Sequence, residues 1–259
     1  MVKMEHSTLA ILQARMSSSR LPGKVMIPIN GEPMIYRQIE RIRQSTVIDE
    51  LIVATSNDPS DDPLVEFLKQ KGIDVFRGSL NDVFSRFLRI ETQFKPTAII
   101  RLTADCPLVM PELINAMVIQ FYESNVDYLS NTLKPTYPDG LDIEIVKASV
   151  FSKLAKYELT ETEREHVTLG IYSRPSDFTL ENFSSREDLS EKRWTVDYFE
   201  DLVFVEKVFN AFKGNESTFT FEDMLLLLHN NPELGSAISA DRRNEHLDKT
   251  KIGGHQQRE

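Results

Sequence analysis

Between Arg15 and Lys24 the chain gathers three cations (Arg15, Arg20, Lys24) and three adjacent hydroxyls (Ser17, Ser18, Ser19), with Gly23 directly before the lysine. Arginine offers a planar fork to phosphate oxygens and lysine a point charge. Hydroxyls and free backbone amides in a loop can complete an anion nest. The plain alternative is a solvated basic loop. The spacing is not the phosphate-loop pattern G-x-x-x-x-G-K-[ST], because Val25 follows Gly23-Lys24 and no glycine stands five residues upstream. A G-x-G-x-x-G fingerprint is also absent.

Two aspartates offer a second kind of chemistry. Asp105 stands just past the apolar run AIIRL, and Asp197 just past Trp194-Thr195-Val196. Mg²⁺ is held by a couple of carboxylates together with phosphate oxygens and water. Two aspartates brought to neighbouring strand ends would meet that need, although 92 residues separate them. The competing reading makes each a helix N-cap, Asp105 ahead of Pro107 and Asp197 over Tyr198–Asp201. Asp139-Gly140 is a turn signal. Beyond it, Asp142 and Glu144 alternate with Leu141, Ile143 and Ile145, so both carboxylates share one strand face, either solvated or lining a pocket. Arg164, Glu165 and His166 form a tight polar cluster. Cys106 has no histidine near it in sequence and reads as a packed side chain.

The elements that must position these groups alternate in type. Strands are expected at Leu9–Leu12, Leu51–Ala54, Ile73–Phe76 and Ala98–Leu102. Helices are expected at Met34–Arg43, Leu64–Gln70, Asn81–Phe94 and Glu112–Tyr122, the last opened by Pro111. Asp61 or Asp62 would cap the second helix. This pace implies βα units and a mostly parallel sheet flanked by helices, with the basic loop at the carboxyl end of the first strand, where open α/β sheets bind ligands. After Asp127 the alternation weakens. Strands are expected at Tyr128–Asn131, Leu141–Val146 and Leu180–Phe183, then helices at Tyr198–Phe212 and Phe221–Leu228. One domain over residues 1–250 is expected, with about 132–190 as a substrate or dimerisation subregion and 251–259 as a disordered tail.

Composition sets the outer limits. The 259 residues carry 30 Lys+Arg against 40 Asp+Glu, a net charge of −10. That balance argues against nucleic acid or a membrane surface as partner. No apolar run approaches the ~20 residues of a membrane span, and residues 1–8 lack a signal peptide's apolar region. The single cysteine excludes an internal disulfide. A cytoplasmic location is expected.

The loop QARMSSSRLPGK resembles the signature of the cytidylyltransferases that activate acidic sugars, the CMP-sialate and CMP-Kdo synthetase superfamily. It looks most like the SpsF-like, spore-coat polysaccharide branch. The blocks RLTADCPLV, YPDGLDIEIV, EREHVTLGIY and RWTVDYFEDL extend the resemblance, in the same order, from about residue 8 to 212. It implies a nucleotide-diphospho-sugar transferase fold, GT-A-like and Rossmann-like, and a homodimer formed near Asn131–Pro175. It implies transfer of CMP from CTP to an acidic sugar, expected to be a nonulosonic acid, with release of pyrophosphate.

The resemblance also implies roles for particular residues. Arg15, Ser18, Arg20 and Lys24 would hold the triphosphate, with Arg15 and Lys24 also catalytic. Asp105 and Asp197 would hold Mg²⁺ as catalytic ligands. Ala14 and Arg101–Ala104 would read cytosine. Asp139, Asp142, Glu144, Arg164 and His166 would line the sugar pocket. One rival is a GT-A glycosyltransferase, whose DxD metal motif Asp105-Cys106-Pro107 does not supply. The other is a nucleotide-binding module without chemistry.

Overall fold

The computed structural model describes residues 7–235. Strand β1 (Thr8–Gln13) opens the sheet. A short hairpin of β2 (Pro28–Ile29) and β3 (Glu32–Pro33) leads into helix α1 (Met34–Ile42). The βα rhythm then runs through β4 (Glu50–Ser56), α2 (Asp62–Gln70), β5 (Asp74–Gly78), α3 (Val83–Phe94), β6 (Ala98–Thr103) and α4 (Pro111–Ser124). Next come β7 (Tyr128–Ser130), β8 (Glu144–Lys147), the short helices α5 (Ser149–Leu154), α6 (Glu161–Glu165) and α7 (Leu169–Tyr172), and β9 (Leu180–Asn182). Helices α8 (Phe199–Ala211), α9 (Phe221–Asn230) and α10 (Pro232–Gly235) complete the described residues. The tail expected at 251–259 lies outside them.

The sheet order is β5-β4-β1-β6-β8-β7-β9. Strands β5, β4, β1 and β6 are mutually parallel, β8 is antiparallel to both of its neighbours, and β9 pairs parallel with β7. The mostly parallel sheet is therefore as expected. Of the anticipated strand Leu141–Val146 only Glu144–Val146 joins the ladder, as part of β8 running against β6. Its insertion between β6 and β7 ends the βα rhythm, so β8 and β9 extend the same sheet.

Both faces of the sheet are covered, which is why its strands read as near-continuous apolar runs. In β1 the side chains alternate: Ala10 and Leu12 join Ile35, Ile39, Leu64, Met117 and Val205 on one face. Leu9 and Ile11 join Phe84, Phe87, Ile90 and Phe151 on the other. Local signals set the helix ends. Asp82 accepts from the Ser85 amide at 3.0 Å to start α3, Pro111 opens α4, and Asn125 in a left-handed conformation closes it. β1 is the strand from which the chain winds both ways, to β4 on one side and β6 on the other. The crevice at the carboxyl ends of β1 and β6 is the topological switch point.

One turn holds this end of the sheet together. Gly140 has φ +105°, and a Cβ there would lie 2.4 Å from the Thr195 amide nitrogen and 2.5 Å from the Trp194 carbonyl carbon. The Trp194 amide donates to the Asp139 carbonyl at 2.6 Å across the same contact. Backbone cannot yield to a methyl group as a flexible side chain can. Gly140→Ala should cost about 3 kcal/mol or more, combining strained φ with overpacking. Urea unfolding checks it, and a loss within experimental error would remove this contact as a determinant of the site.

Candidate active site

The basic loop leaves β1 at the switch point and is held there by a buried carboxylate. Asp61 accepts from the Met16 amide at 2.7 Å, from Thr55 Oγ1 at 2.9 Å, and from the Ser56 amide and hydroxyl at 3.0 and 2.5 Å. The expected cap role of Asp61 is thereby corrected: it makes no side-chain cap to α2, because its oxygens tie the loop to the end of β4. The loop closes on itself where Gly23, at φ +71°, donates its amide to the Met16 carbonyl at 2.9 Å. That left-handed turn delivers Lys24 inward, where it is buried.

Lys24 meets both aspartates. Its Nζ lies 3.1 Å from Asp197 Oδ1 and 3.5 Å from Asp105 Oδ2, and it donates to the Val196 carbonyl at 2.6 Å. The backbone joins the same two sites: the Val196 amide donates to the Asp105 carbonyl at 2.8 Å and Thr195 Oγ1 does so at 3.1 Å. Two aspartates far apart in sequence thus stand at adjacent chain ends. Neither serves as a helix cap. Tyr198 occupies the cap position of α8, the Asp197 and Tyr198 amides just ahead of the helix donate to Asp201, and α4 begins only at Pro111.

Three cations surround Asp197. Arg20 donates to Oδ1 at 2.5 Å, Lys24 reaches the same oxygen, and Arg193 donates to Oδ2 at 3.0 Å. Arg193 is itself buried, donating to Asp139 at 2.8 Å and to both oxygens of Asp201 at 3.2 and 3.1 Å. Burial opposes ionisation of Asp197, but Lys24 and Arg20 outweigh it and hold the carboxyl well below the usual carboxylate range. At Asp105 burial again raises and Lys24 lowers; the balance is also downward.

A carboxyl depressed in the folded state stabilises the fold above its unfolded pKa of about 3.8 and loses that contribution as pH falls toward the folded value. Asp197→Asn should therefore lie furthest below wild type in thermal midpoint at neutral pH. The gap should narrow as pH falls below about 4. Melting curves across pH 3–7 check this, and a gap independent of pH would contradict it.

Together these elements enclose a cleft of about 400 Å³, within the usual size range for small-ligand sites. Ala14, Arg15, Ser18, Arg20, Lys24, Arg101, Asp105 and Asp197 line it, as does His166. Arg15 is half-exposed and reaches Glu165 of the opposite wall at 3.9 Å. The Ser18 hydroxyl accepts from the Leu21 amide at 3.3 Å.

The other residues expected at the sugar side are held by partners of their own. Glu144 is buried and paired with Arg101, and accepts from Tyr128 Oη at 2.5 Å and Thr168 Oγ1 at 2.6 Å. Its alternating strand face is covered by neighbouring chain. Asp139 is engaged by Arg193, and Arg164 reaches out to Asp82 at 2.9 Å. Asp142 is half-buried. With Asp105 and Asp139 it adds to the burial that pushes the Cys106 thiol well above its ordinary pKa, so Cys106 is a packed, unreactive side chain. None of Asp139, Asp142, Glu144 and Arg164 is among the residues lining the cleft.

Gln13, Arg86 and Glu165 also line it. Arg86, on the inner face of α3, donates to the Ala54 and Leu80 carbonyls at 3.4 and 3.1 Å. Burial, then Arg15, pushes it down to about 10. Its place in an otherwise apolar face (Val83, Phe84, Phe87, Ile90) is the signal that could have found it.

Fold and cleft together define a nucleotidyltransferase, and the chain belongs to the cytidylyltransferase family, whose model matches residues 9–225. It is an enzyme of that class. The chain is 32% identical over 240 residues to the spore coat polysaccharide biosynthesis protein SpsF of Bacillus subtilis, covering 90% of this chain and 98% of that one. It is 30% identical over 158 residues to the mitochondrial 3-deoxy-manno-octulosonate cytidylyltransferase of Arabidopsis thaliana, covering 57% of this chain and 51% of that one. A cytidylyltransferase structure from Leptospira borgpetersenii superimposes with a TM-score of 0.85 at 29% identity, over 90% of this chain and 98% of that one. Among the described residues no helix is long and apolar enough to cross a membrane.

Proposed function

We propose that this cytidylyltransferase transfers CMP from CTP to a hydroxyl of an acidic sugar, expected to be a nonulosonic acid, and releases pyrophosphate. The observation that carries the reading is the meeting of the basic loop with Asp105 and Asp197 in one cleft, within 3.5 Å of a single ammonium. The sugar class is supported by relatives named for polysaccharide biosynthesis and for an octulosonate.

In this reading Arg15, Arg20 and Lys24 bind the triphosphate and offset the charge that builds on the leaving pyrophosphate. Ser18 and the loop amides orient it. Cytosine lies against Ala14 and the end of β6 near Arg101. Arg86 lines the same cleft, and His166 contacts the sugar acid. Holding the acceptor hydroxyl in line with the α-phosphorus is the main work of such a site.

Asp105 and Asp197 offer oxygen donors suited to Mg²⁺, and no group of three or more potential ligands exists among the described residues. A cation held there leans on phosphate oxygens and water for the rest of its shell. When bound, Mg²⁺ supplies Lewis-acid charge neutralisation at the phosphate.

The reaction is placed in the cytoplasm and the active form is a homodimer through Asn131–Pro175. Sedimentation at micromolar concentration should show a species twice the 29.7 kDa chain; a monomer alone would contradict it. The activity itself is tested by incubating the protein with each nucleoside triphosphate and a panel of nonulosonic and octulosonic acids. Pyrophosphate release specific to CTP is expected, and none with any pair would overturn the reading. A glycosyltransferase would instead consume a nucleotide-sugar and release no pyrophosphate.

A further inference from the structure

The Lys24 ammonium stands between the two aspartates. Its contacts are all hard oxygens: Asp197 Oδ1 at 3.1 Å, Asp105 Oδ2 at 3.5 Å and the Val196 carbonyl at 2.6 Å. Asp197 Oδ1 carries a second cation, Arg20, at 2.5 Å, while Oδ2 is held from behind by buried Arg193. The two aspartates are therefore not open donors awaiting a metal. Their cleft-facing oxygens are occupied by the same two side chains that the triphosphate calls on.

We propose that Lys24 is a built-in occupant of the divalent-cation position, so that metal is excluded until a triphosphate draws the ammonium away. This rests on the function proposed above. The physical basis is charge balance. Lys24, Arg20 and Arg193 already set three positive charges against the two carboxylates, and a divalent cation added while Lys24 remains would bring two more. Lys24 has a flexible four-carbon stem and a compact point charge, so it can pivot from the carboxylates to phosphate oxygens, whereas Arg193 is locked by Asp139 and Asp201. Arg193 then keeps Asp197 Oδ2 fixed while Oδ1 is released. Nucleotide and metal consequently enter as a coupled pair, and by linkage each raises the other's affinity by the same factor.

The test is Mn²⁺ binding to nucleotide-free protein, followed by the electron paramagnetic resonance signal of the free ion. Wild type should bind Mn²⁺ weakly. Lys24→Met, close in volume and without charge, should bind it at least about tenfold more tightly, on the scale of ordinary coupling between sites. Adding Asp105→Asn to that variant should abolish the gain. Direct phosphate coordination couples the ligands in any case, so the lysine's share is read without nucleotide.

Thermal melts show whether Lys24→Met folds. If it does not, Lys24→Gln decides, a neutral side chain that can still donate to the Val196 carbonyl: it should show the same gain in Mn²⁺ affinity without CTP. Equal Mn²⁺ affinity in wild type and a folded Lys24→Met, or in its absence a folded Lys24→Gln, overturns the proposal. Failure of the functional reading is distinct. It would leave the Lys24→Met gain in Mn²⁺ affinity intact while no acidic sugar supports turnover with CTP.

Discussion

Replacing either Asp105 or Asp197 by Asn should lower turnover by on the order of 10²–10³-fold, the loss usual for deleting one contact that offsets transition-state charge. Asn keeps the shape of the side chain but removes one of the two charges able to hold a hard cation. The structure makes the variants interpretable, because neither aspartate caps a helix. At position 197 each cation keeps another role: Arg193 retains Asp139 and Asp201, Lys24 retains Asp105, and Arg20 lies over the Tyr198 ring at 5.5 Å. The fold should therefore persist. Groups acting as one unit are non-additive, so the double variant should cost little beyond either single one. Steady-state rates at saturating CTP and excess Mg²⁺ check this, and near-normal rates in either variant would reject that residue as a ligand.

The largest effect on stability is expected at Arg193. Its side chain is 2% exposed and its forked donors are shared among Asp139, Asp197 and Asp201. Arg193→Met would take from buried Asp201 and half-buried Asp139 the guanidinium they share. Breaking a buried pair from one side costs about 3–5 kcal/mol. The same change releases Asp197 Oδ2, so the surviving folded fraction should also lose metal-dependent turnover. Urea midpoints measure the first effect. Adding Asp201→Asn should restore part of the stability by removing one orphaned charge. A cost below about 1 kcal/mol would show that the network is a surface arrangement rather than a buried one.

How far these features could be read in advance depended on range. Parallel strands buried on both faces announce themselves as apolar runs such as LAIL and AIIRL, and local caps mark helix starts at Asp82 and Pro111. The cation cluster between Arg15 and Lys24 was legible because its members are neighbours in sequence. The approach of Asp105 to Asp197 was not, since it depends on the Val196–Asp105 backbone contact, which no spacing encodes. Alternation at Leu141–Ile145 put Asp142 and Glu144 on one face but could not say what covers it. Arg101, Tyr128 and Thr168 do so at Glu144, and they arrive from three separate segments. Asp61 looked like a cap because it precedes a helix; its actual partners, Met16 and the end of β4, are set by tertiary structure. Arg193 gave no signal at all, since a buried arginine is recognisable only once its carboxylates have been brought around it.

In the proposed reaction the α-phosphate of CTP passes to an acidic sugar. ³¹P nuclear magnetic resonance of a reaction containing enzyme, CTP, Mg²⁺ and an acidic sugar follows every phosphorus at once. The three triphosphate resonances should give way to a single phosphodiester signal, retained on the CMP-sugar, together with an equimolar pyrophosphate signal. Formation of CDP with a phosphorylated sugar, which would mean cleavage between the β- and γ-phosphates, would contradict it.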